Sequence, residues 1–144
     1  MKNILKNVLV AGLVMVGSGA GVRAQQAERV VTFEAPFAFE VEQRKLPAGE
    51  YTVLVESGWL QIQGKDGSAA AHALTMPVLS RGQKTVAHSH VVLHNYQGRY
   101  FLAEIWASGQ EKGRELLETR EEQQLAKRQE MVAVNVPLRQ AGAK

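Results

Sequence analysis

The sequence contains no cysteine and a single aspartate among its 144 residues. Without cysteine there is no disulfide framework, thiol nucleophile, thiolate zinc site or acylated lipoprotein anchor. No serine sits in a Gly-x-Ser-x-Gly elbow, and Asp66 lies in a Gly-Lys-Asp-Gly turn, where its side chain is expected to bond local backbone. A catalytic signature is therefore missing, and we expect a protein that is not an enzyme.

An excess of charge of one sign is also missing beyond the N-terminal segment. The chain has 17 Lys and Arg against 14 Asp and Glu, and Lys2, Lys6 and Arg23 account for the whole excess. Residues 25–144 are thus formally neutral, so the sequence pI of about 9.3 does not indicate polyanion binding. We expect no nucleic-acid partner.

Residues 1–24 have the features of a cleavable export signal. Lys2 and Lys6 form a basic start, residues 8–16 are apolar, and Ala24 precedes a plausible cleavage point. The apolar run is shorter than the roughly 20 residues of a membrane-spanning helix. We predict a soluble periplasmic or secreted product without stable membrane insertion, comprising one β domain over residues 25–138 and a tail over 139–144.

Apolar residues at every second position predict strands over most of the remaining chain. From residue 31 to 41 the alternation contains Pro36, which predicts an edge strand or a break. Further strands are predicted at 51–55, 59–63, 69–75, 86–96, 100–106 and 132–138, with a longer loop at 76–85. This pattern predicts a mostly β fold, a small antiparallel barrel or sandwich of seven to eight strands.

One helix is predicted before the last strand. Residues 114–129 are good helix formers without glycine or proline, and their charges are expected on a solvated surface. This helix is a candidate cover for the second face of the strand at 100–106, which is too apolar for open solvent. On that face Glu104 is expected to pair with an arginine of the helix or to have a raised pKa.

Four motifs resemble a family of small, exported bacterial β-domain proteins of uncharacterised function. They are Pro-Phe-x-Phe at 36–39, Leu-Pro-Ala-Gly-x-Tyr at 46–51, Tyr-Phe-Leu-x-Glu-Ile-Trp at 100–106 and Gly-Arg-Glu-Leu at 113–116. The resemblance implies export and a compact β domain. It implies no activity and no site residue.

The histidines form the arrangement that most directly indicates chemistry. His88, His90 and His94 have the even spacing that places side chains on one face of a strand, and His72 on the preceding strand can supply a further ligand. The His-x-His pair resembles the opening of the cupin metal motif, so a metal-dependent enzyme with a divalent transition metal is the alternative hypothesis. We favour a solvent-exposed histidine face, and predict no cofactor.

The leading hypothesis is a binding or interaction module for a small molecule, an envelope component or a protein. Its candidate contact residues are aromatic or basic, although core packing is the more common role of the aromatics: Trp59, Trp106, Tyr96, Tyr100 and Arg81. Arg81 belongs to the predicted contact loop at 76–85. A third hypothesis is an envelope structural or assembly protein that associates through edge strands near Pro36.

Overall fold

The computed structural model describes residues 29–67 and 70–140. Strands dominate, and one α-helix precedes the last two strands, so the predicted mostly β class is confirmed. The elements are β1 (Arg29–Ala35), β2 (Phe39–Val41), β3 (Arg44–Leu46), β4 (Gly49–Val55), β5 (Trp59–Gly64), β6 (Ala70–Leu79), β7 (His90–Tyr96), β8 (Arg99–Trp106), β9 (Lys112–Leu116), α1 (Arg120–Ala126), β10 (Val132–Pro137) and β11 (Arg139–Gln140). The predicted signal at residues 1–24 lies outside the described residues.

The described strands number eleven, because several that the alternation cannot reveal are only two or three residues long. They follow the order β10-β7-β8-β9-β6-β5-β4-β1-β11, with β2 beside β8 and β3 beside β2. The first half of β6 pairs with β5 and the second half with β9. Residues 132–140 approach both ends of the path, since β10 pairs with β7 and β11 with β1. The sheet therefore curls around one core.

The core consists of the inward rows of these strands. In β1, Val31, Phe33 and Ala35 are buried, as the alternation predicted. The ring of Phe33 lies 5.7 Å from that of Phe39 and 5.8 Å from that of Tyr51 between centroids. Burying an aromatic side chain of this size contributes roughly 1.5–3 kcal/mol, so this aromatic group anchors β1 and β2 against β4.

The break predicted at Pro36 is confirmed. β1 ends at Ala35 and β2 begins at Phe39. Pro36 has no backbone N–H to continue a ladder, which is the reason for the interruption. The chain then crosses to β8, where β2 pairs in parallel through Glu40 and Phe101.

A β-bulge lies in the ladder between β7 and β8. Leu93 pairs with Leu102 and Val92 pairs with Glu104, which leaves Ala103 as an extra residue. The alternation of β8 changes phase there, so both halves of the strand send a row into the core. The outward face of β7 and β8 is also apolar, and four of its side chains are at most 8% exposed: Val92, Tyr96, Phe101 and Trp106.

The helix α1 lies against this outward face. Its buried residue, Glu122, forms hydrogen bonds with His94 and Tyr96 of β7. The helix therefore contacts β7 and Arg99 of β8, and it is shorter than the predicted helix at 114–129. Residues 112–116 form β9 instead, because ladders with β6 and β8 outweigh their helix propensity.

Two local features position β9 and α1. Gly113 lies so close to β8 that a Cβ atom would be 2.7 Å from the ring of Trp106. Thr119 caps the helix, since its side chain accepts a hydrogen bond from the backbone N–H of Glu122. Gly113 thus allows β9 to lie close against β8, and Thr119 fixes the start of α1.

The predicted loop at 76–85 begins later than expected. β6 continues to Leu79, and a short 3₁₀ turn follows at Arg81–Gln83. The extension of β6 pairs with β9, a segment that the sequence pattern assigns in part to a helix. The predicted start of the loop and the predicted start of the helix are therefore both wrong. β7 also begins at His90, four residues later than predicted.

Candidate functional site

The four histidines that the alternative hypothesis assigns to a metal site are separated. His72 is exposed on β6, with its ring centroid 6.2 Å from that of Trp59. His88 precedes β7 and His90 begins it, so the two do not share one strand face; His90 Nδ1 lies 2.8 Å from the backbone oxygen of His88. Within residues 29–67 and 70–140, only His94 joins a convergent group of at least three metal-ligating side chains.

The predicted binding residues occupy separate places. Trp106 and Tyr96 are both buried: the Trp106 ring lies against Gly113 of β9, and Tyr96 donates a hydrogen bond to Glu122 of α1. Trp59 is half-buried on the outward face of β5, and Tyr100 is half-buried in β8. Arg81 is exposed in the 3₁₀ turn. The structure does not bring these five side chains into one site.

A polar group between β7 and α1 is termed here the helix-covered cluster, and consists of His94, Tyr96, Glu118 and Glu122. Glu122 is 4% exposed. Its Oε1 accepts a hydrogen bond from Tyr96 Oη at 3.2 Å and lies 2.8 Å from His94 Nδ1. Ligating atoms of His94, Glu118 and Glu122 all lie within 4.8 Å of one another. The sequence made His94 a candidate metal ligand and Tyr96 a candidate contact residue, but it did not place the two in one group.

Local sequence explains how the cluster forms. His94 and Tyr96 are two residues apart on β7, so both face α1. Thr119 and Glu122 have the Thr-x-x-Glu spacing of a capping box, and the backbone N–H of Glu122 donates to Thr119 Oγ1 at 3.2 Å. The carboxylate of Glu122 turns inward to β7. Sequence reasoning missed Glu118 and Glu122, which it placed among solvated helix charges, although the capping-box spacing was a usable signal.

The cluster shifts the titration of two groups. The hydrogen bond with Glu122 raises the pKa of His94, and the charges of Glu122, Glu104 and Glu118 raise it further against the opposing effect of burial. Burial raises the pKa of Tyr96 to about 12, with a contribution from the charge of Glu122. His94 is therefore a cation over a wider pH range than an ordinary histidine, and pairs with a buried carboxylate.

A second polar link joins α1 to the sheet. Arg99 of β8 donates to Glu40 of β2 at 2.9 and 3.0 Å and to Glu121 of α1 at 2.8 Å. The hydrogen bond with Glu121 is the main cause that raises the pKa of Arg99. The side chain of Arg99 is 41% exposed, so solvent screens these ion pairs and limits each to about 1 kcal/mol at most.

Glu104 has a different partner from the predicted one. Its carboxylate accepts a hydrogen bond from Trp106 Nε1 at 2.6 Å, and in the described part of the chain no arginine forms an ion pair with it. The side chains of Glu104 and Trp106 both lie on the outward face of β8. A buried indole N–H needs an acceptor, and Glu104 supplies it.

A second feature is the apolar outer face, defined as Val30, Leu54, Trp59, Leu74 and Met76. Val30 pairs with Leu54 and Trp59 with Leu74 across neighbouring strands, and Met76 follows Leu74 on the same side of β6. Leu74 and Met76 are 61% and 51% exposed. This face therefore presents apolar side chains directly to solvent.

Tyr100 lines an open groove of about 370 Å³ between β2, β3 and β8. Its ring stacks on Phe37 with 3.6 Å between centroids. The charged groups in the groove include Glu40 and Arg99, which already bind each other. Lys45 also lines the groove, which therefore offers a ligand one lysine beside an ion pair that is already formed.

Comparisons with protein-family models, with curated proteins and with solved structures find no match to this chain. Membership of the family of small exported β-domain proteins remains a prediction from motifs. No helix within residues 29–67 and 70–140 is long and apolar enough to cross a membrane.

Proposed function

We propose that this protein is an exported, non-catalytic binding module that contacts a partner protein through the apolar outer face. The observation that carries the proposal is the exposure of Leu74 and Met76, at 61% and 51%, beside Trp59 on one sheet surface. Single exposed apolar residues are ordinary. A contiguous group of them is the composition of a contact surface.

The shape of this surface favours a protein over a small molecule. Small-molecule sites are concave and enclose most of their ligand, whereas these side chains project from the outward face of neighbouring strands. Tryptophan and methionine are enriched in protein interfaces. Gln61 and His72 form a cross-strand pair on the same face, and add polar groups that can set the orientation of the partner.

Two of the features predicted from sequence meet on this surface. Trp59 was a candidate contact residue, and Met76 belonged to the predicted contact loop. The export part of the proposal is supported by the composition of residues 1–24. The non-catalytic part is supported by the absence of a thiol and of a serine elbow from the sequence.

Site-specific photo-crosslinking in the native cell tests this proposal. A photoreactive amino acid replaces Leu74, and the matched control replaces Lys127, which is exposed at the end of α1. We expect one discrete adduct from position 74 and none from position 127. The added substitution Met76→Asp is expected to abolish the adduct, and the crosslinked protein, once purified, should bind the wild-type chain and not Met76→Asp.

Three results would overturn the proposal. Equal adducts from both positions would indicate nonspecific collision, and no adduct from position 74 would leave the surface without a partner. An adduct with a second copy of this chain would show that the surface mediates self-association and not the binding of a different protein. For export, the intact mass of protein recovered from the envelope fraction should correspond to a chain that begins at Gln25, and a full-length cytosolic product would contradict it.

A further inference from the structure

The helix-covered cluster brings three metal-ligating side chains together from separate parts of the chain. His94 comes from β7, Glu118 from the segment before α1, and Glu122 from the first turn of α1. Their ligating atoms lie within 4.8 Å of one another. Zinc ligands at about 2.0–2.2 Å from the metal are roughly 3.4 Å apart in a tetrahedral site, so small side-chain rotations bring the three into coordination range.

The hydrogen bond between His94 and Glu122 does not explain why Glu118 lies in the same group. Glu118 is exposed, yet its carboxylate lies beside a second carboxylate that is buried. Two carboxylates this close destabilise each other unless cations lie near both, and protonated His94 supplies one positive charge against the carboxylates of Glu104, Glu118 and Glu122. The presence of Glu118 is therefore the feature that requires explanation.

The charges around the cluster favour a bound cation. Glu104 also lies on the face that α1 covers, so three carboxylates surround one imidazole. Arg99, the nearby cation of β8, is already bound by Glu40 and Glu121. A divalent ion between Glu118 and Glu122 offsets this excess of negative charge.

The supporting contacts are those of a metal site. Tyr96 donates a hydrogen bond to Glu122, and outer groups of this kind orient ligating carboxylates. His94 and Glu122 are held in place by packing, with side chains 15% and 5% exposed. Glu118 is exposed, so an ion can reach this third ligand from solvent.

We propose that His94, Glu118 and Glu122 bind one divalent transition metal ion, with zinc as the best match. One imidazole nitrogen and two carboxylate oxygens are ligands that zinc accepts, and a three-residue set leaves a position for water. This site differs from the His88 and His90 pair indicated by the sequence. It is independent of the apolar outer face.

Metal titration of the purified chain, in the form that the cell produces and after removal of metal, tests this inference. Zinc affinity is measured by competition with a chromophoric chelator, and cobalt replaces zinc to report ligand geometry by its visible spectrum. We expect one zinc ion per chain. Glu118→Gln should weaken binding by at least about tenfold, because loss of an outer-shell partner alone costs that much.

The controls separate ligation from folding. Glu118 is exposed, so Glu118→Gln should unfold at the wild-type temperature in the absence of metal. Glu121→Gln, which removes an exposed carboxylate in the first turn of α1, and the His88→Ala/His90→Ala double variant should bind zinc as the wild type does. Absence of stoichiometric binding, equal affinity of Glu118→Gln and Glu121→Gln, or loss of binding in the double histidine variant would each overturn the proposal.

Discussion

On β7 and β8 the outward face of the sheet is covered by α1, whereas on β5 and β6 the outward face is open. The covered face includes Tyr96 and Phe101, at 2% and 3% exposed. The open face includes Leu74 and Met76, which are more than half exposed. Both faces carry apolar side chains, but the first is packed against α1 and the second is exposed to solvent.

The cover itself depends on polar groups. The helix is seven residues long, too short to be stable in isolation, and its buried residue is a glutamate. Hydrogen bonds that the Glu122 carboxylate accepts from β7, and an ion pair between Arg99 and Glu121, hold α1 against the sheet. The chain covers one apolar face with its own segment, and in our proposal a partner protein covers the other.

The largest expected effect comes from Glu122→Ala. This change leaves the buried polar atoms of His94 and Tyr96 without their acceptor, and should lower the free energy of unfolding by about 3 kcal/mol in urea denaturation. The matched control is Glu121→Ala, which removes only a solvent-screened ion pair and should cost no more than about 1 kcal/mol. Equal losses in the two variants would show that α1 is not held by its buried carboxylate.

Gly113→Ala should lower the free energy of unfolding by about 1–3 kcal/mol, since the new Cβ lies 2.7 Å from the Trp106 ring and 2.9 Å from the backbone oxygen of Ile105. Combining it with Trp106→Leu relieves the contact with the ring. A double-mutant cycle in urea should therefore show a favourable coupling between the two changes. Strictly additive effects would count against this close contact.

Thr119→Ala removes the cap of α1 and should cost about 1 kcal/mol in the same assay. Thr119→Ser keeps a hydroxyl at this position and should retain most of the stability. If the serine variant lost as much as the alanine variant, the hydroxyl would not be the stabilising group.

The stability that the contact between α1 and the sheet provides should also depend on pH. The pKa of His94 is raised in the folded protein, so its contribution to stability is complete below the unfolded value of about 6.5 and is lost as pH rises through the folded value. The groups that face this imidazole are Glu104, Glu118, Glu122 and Tyr96. With a chelator present, the unfolding free energy should fall from pH 6 to pH 9 more steeply for the wild type than for His94→Gln. Parallel profiles would exclude His94 as the cause.

The smallest effect on stability is expected on the open face. Leu74→Ser and Met76→Ser remove exposed side chains, and each should change the free energy of unfolding by no more than about 0.5 kcal/mol. Leu60→Ala, on the buried side of β5, is the contrasting control and should cost about 2–5 kcal/mol. A large loss from Leu74→Ser would indicate that this face is structural.

Period-two patterns predicted most strands and the break at Pro36, because a half-buried strand alternates wherever it lies. They failed at β9, where pairing with β6 and β8 overrides the helix propensity of Arg114 and its neighbours. Tertiary ladders of this kind are not visible in a local pattern. The metal-ligating group escaped prediction for a similar reason, since His94 and Glu122 are 28 residues apart and meet only after α1 docks.

The most direct test of the account is the affinity of the crosslinked partner for two variants of equal stability. Leu74→Ser/Met76→Ser alters the open face, and Glu118→Gln alters the edge of the covered face. We predict at least tenfold weaker binding of the partner by the first variant, about 1.4 kcal/mol, and unchanged binding by the second. Unchanged binding by the first variant, or a loss confined to the second, would contradict the assignment of the apolar outer face as the contact surface.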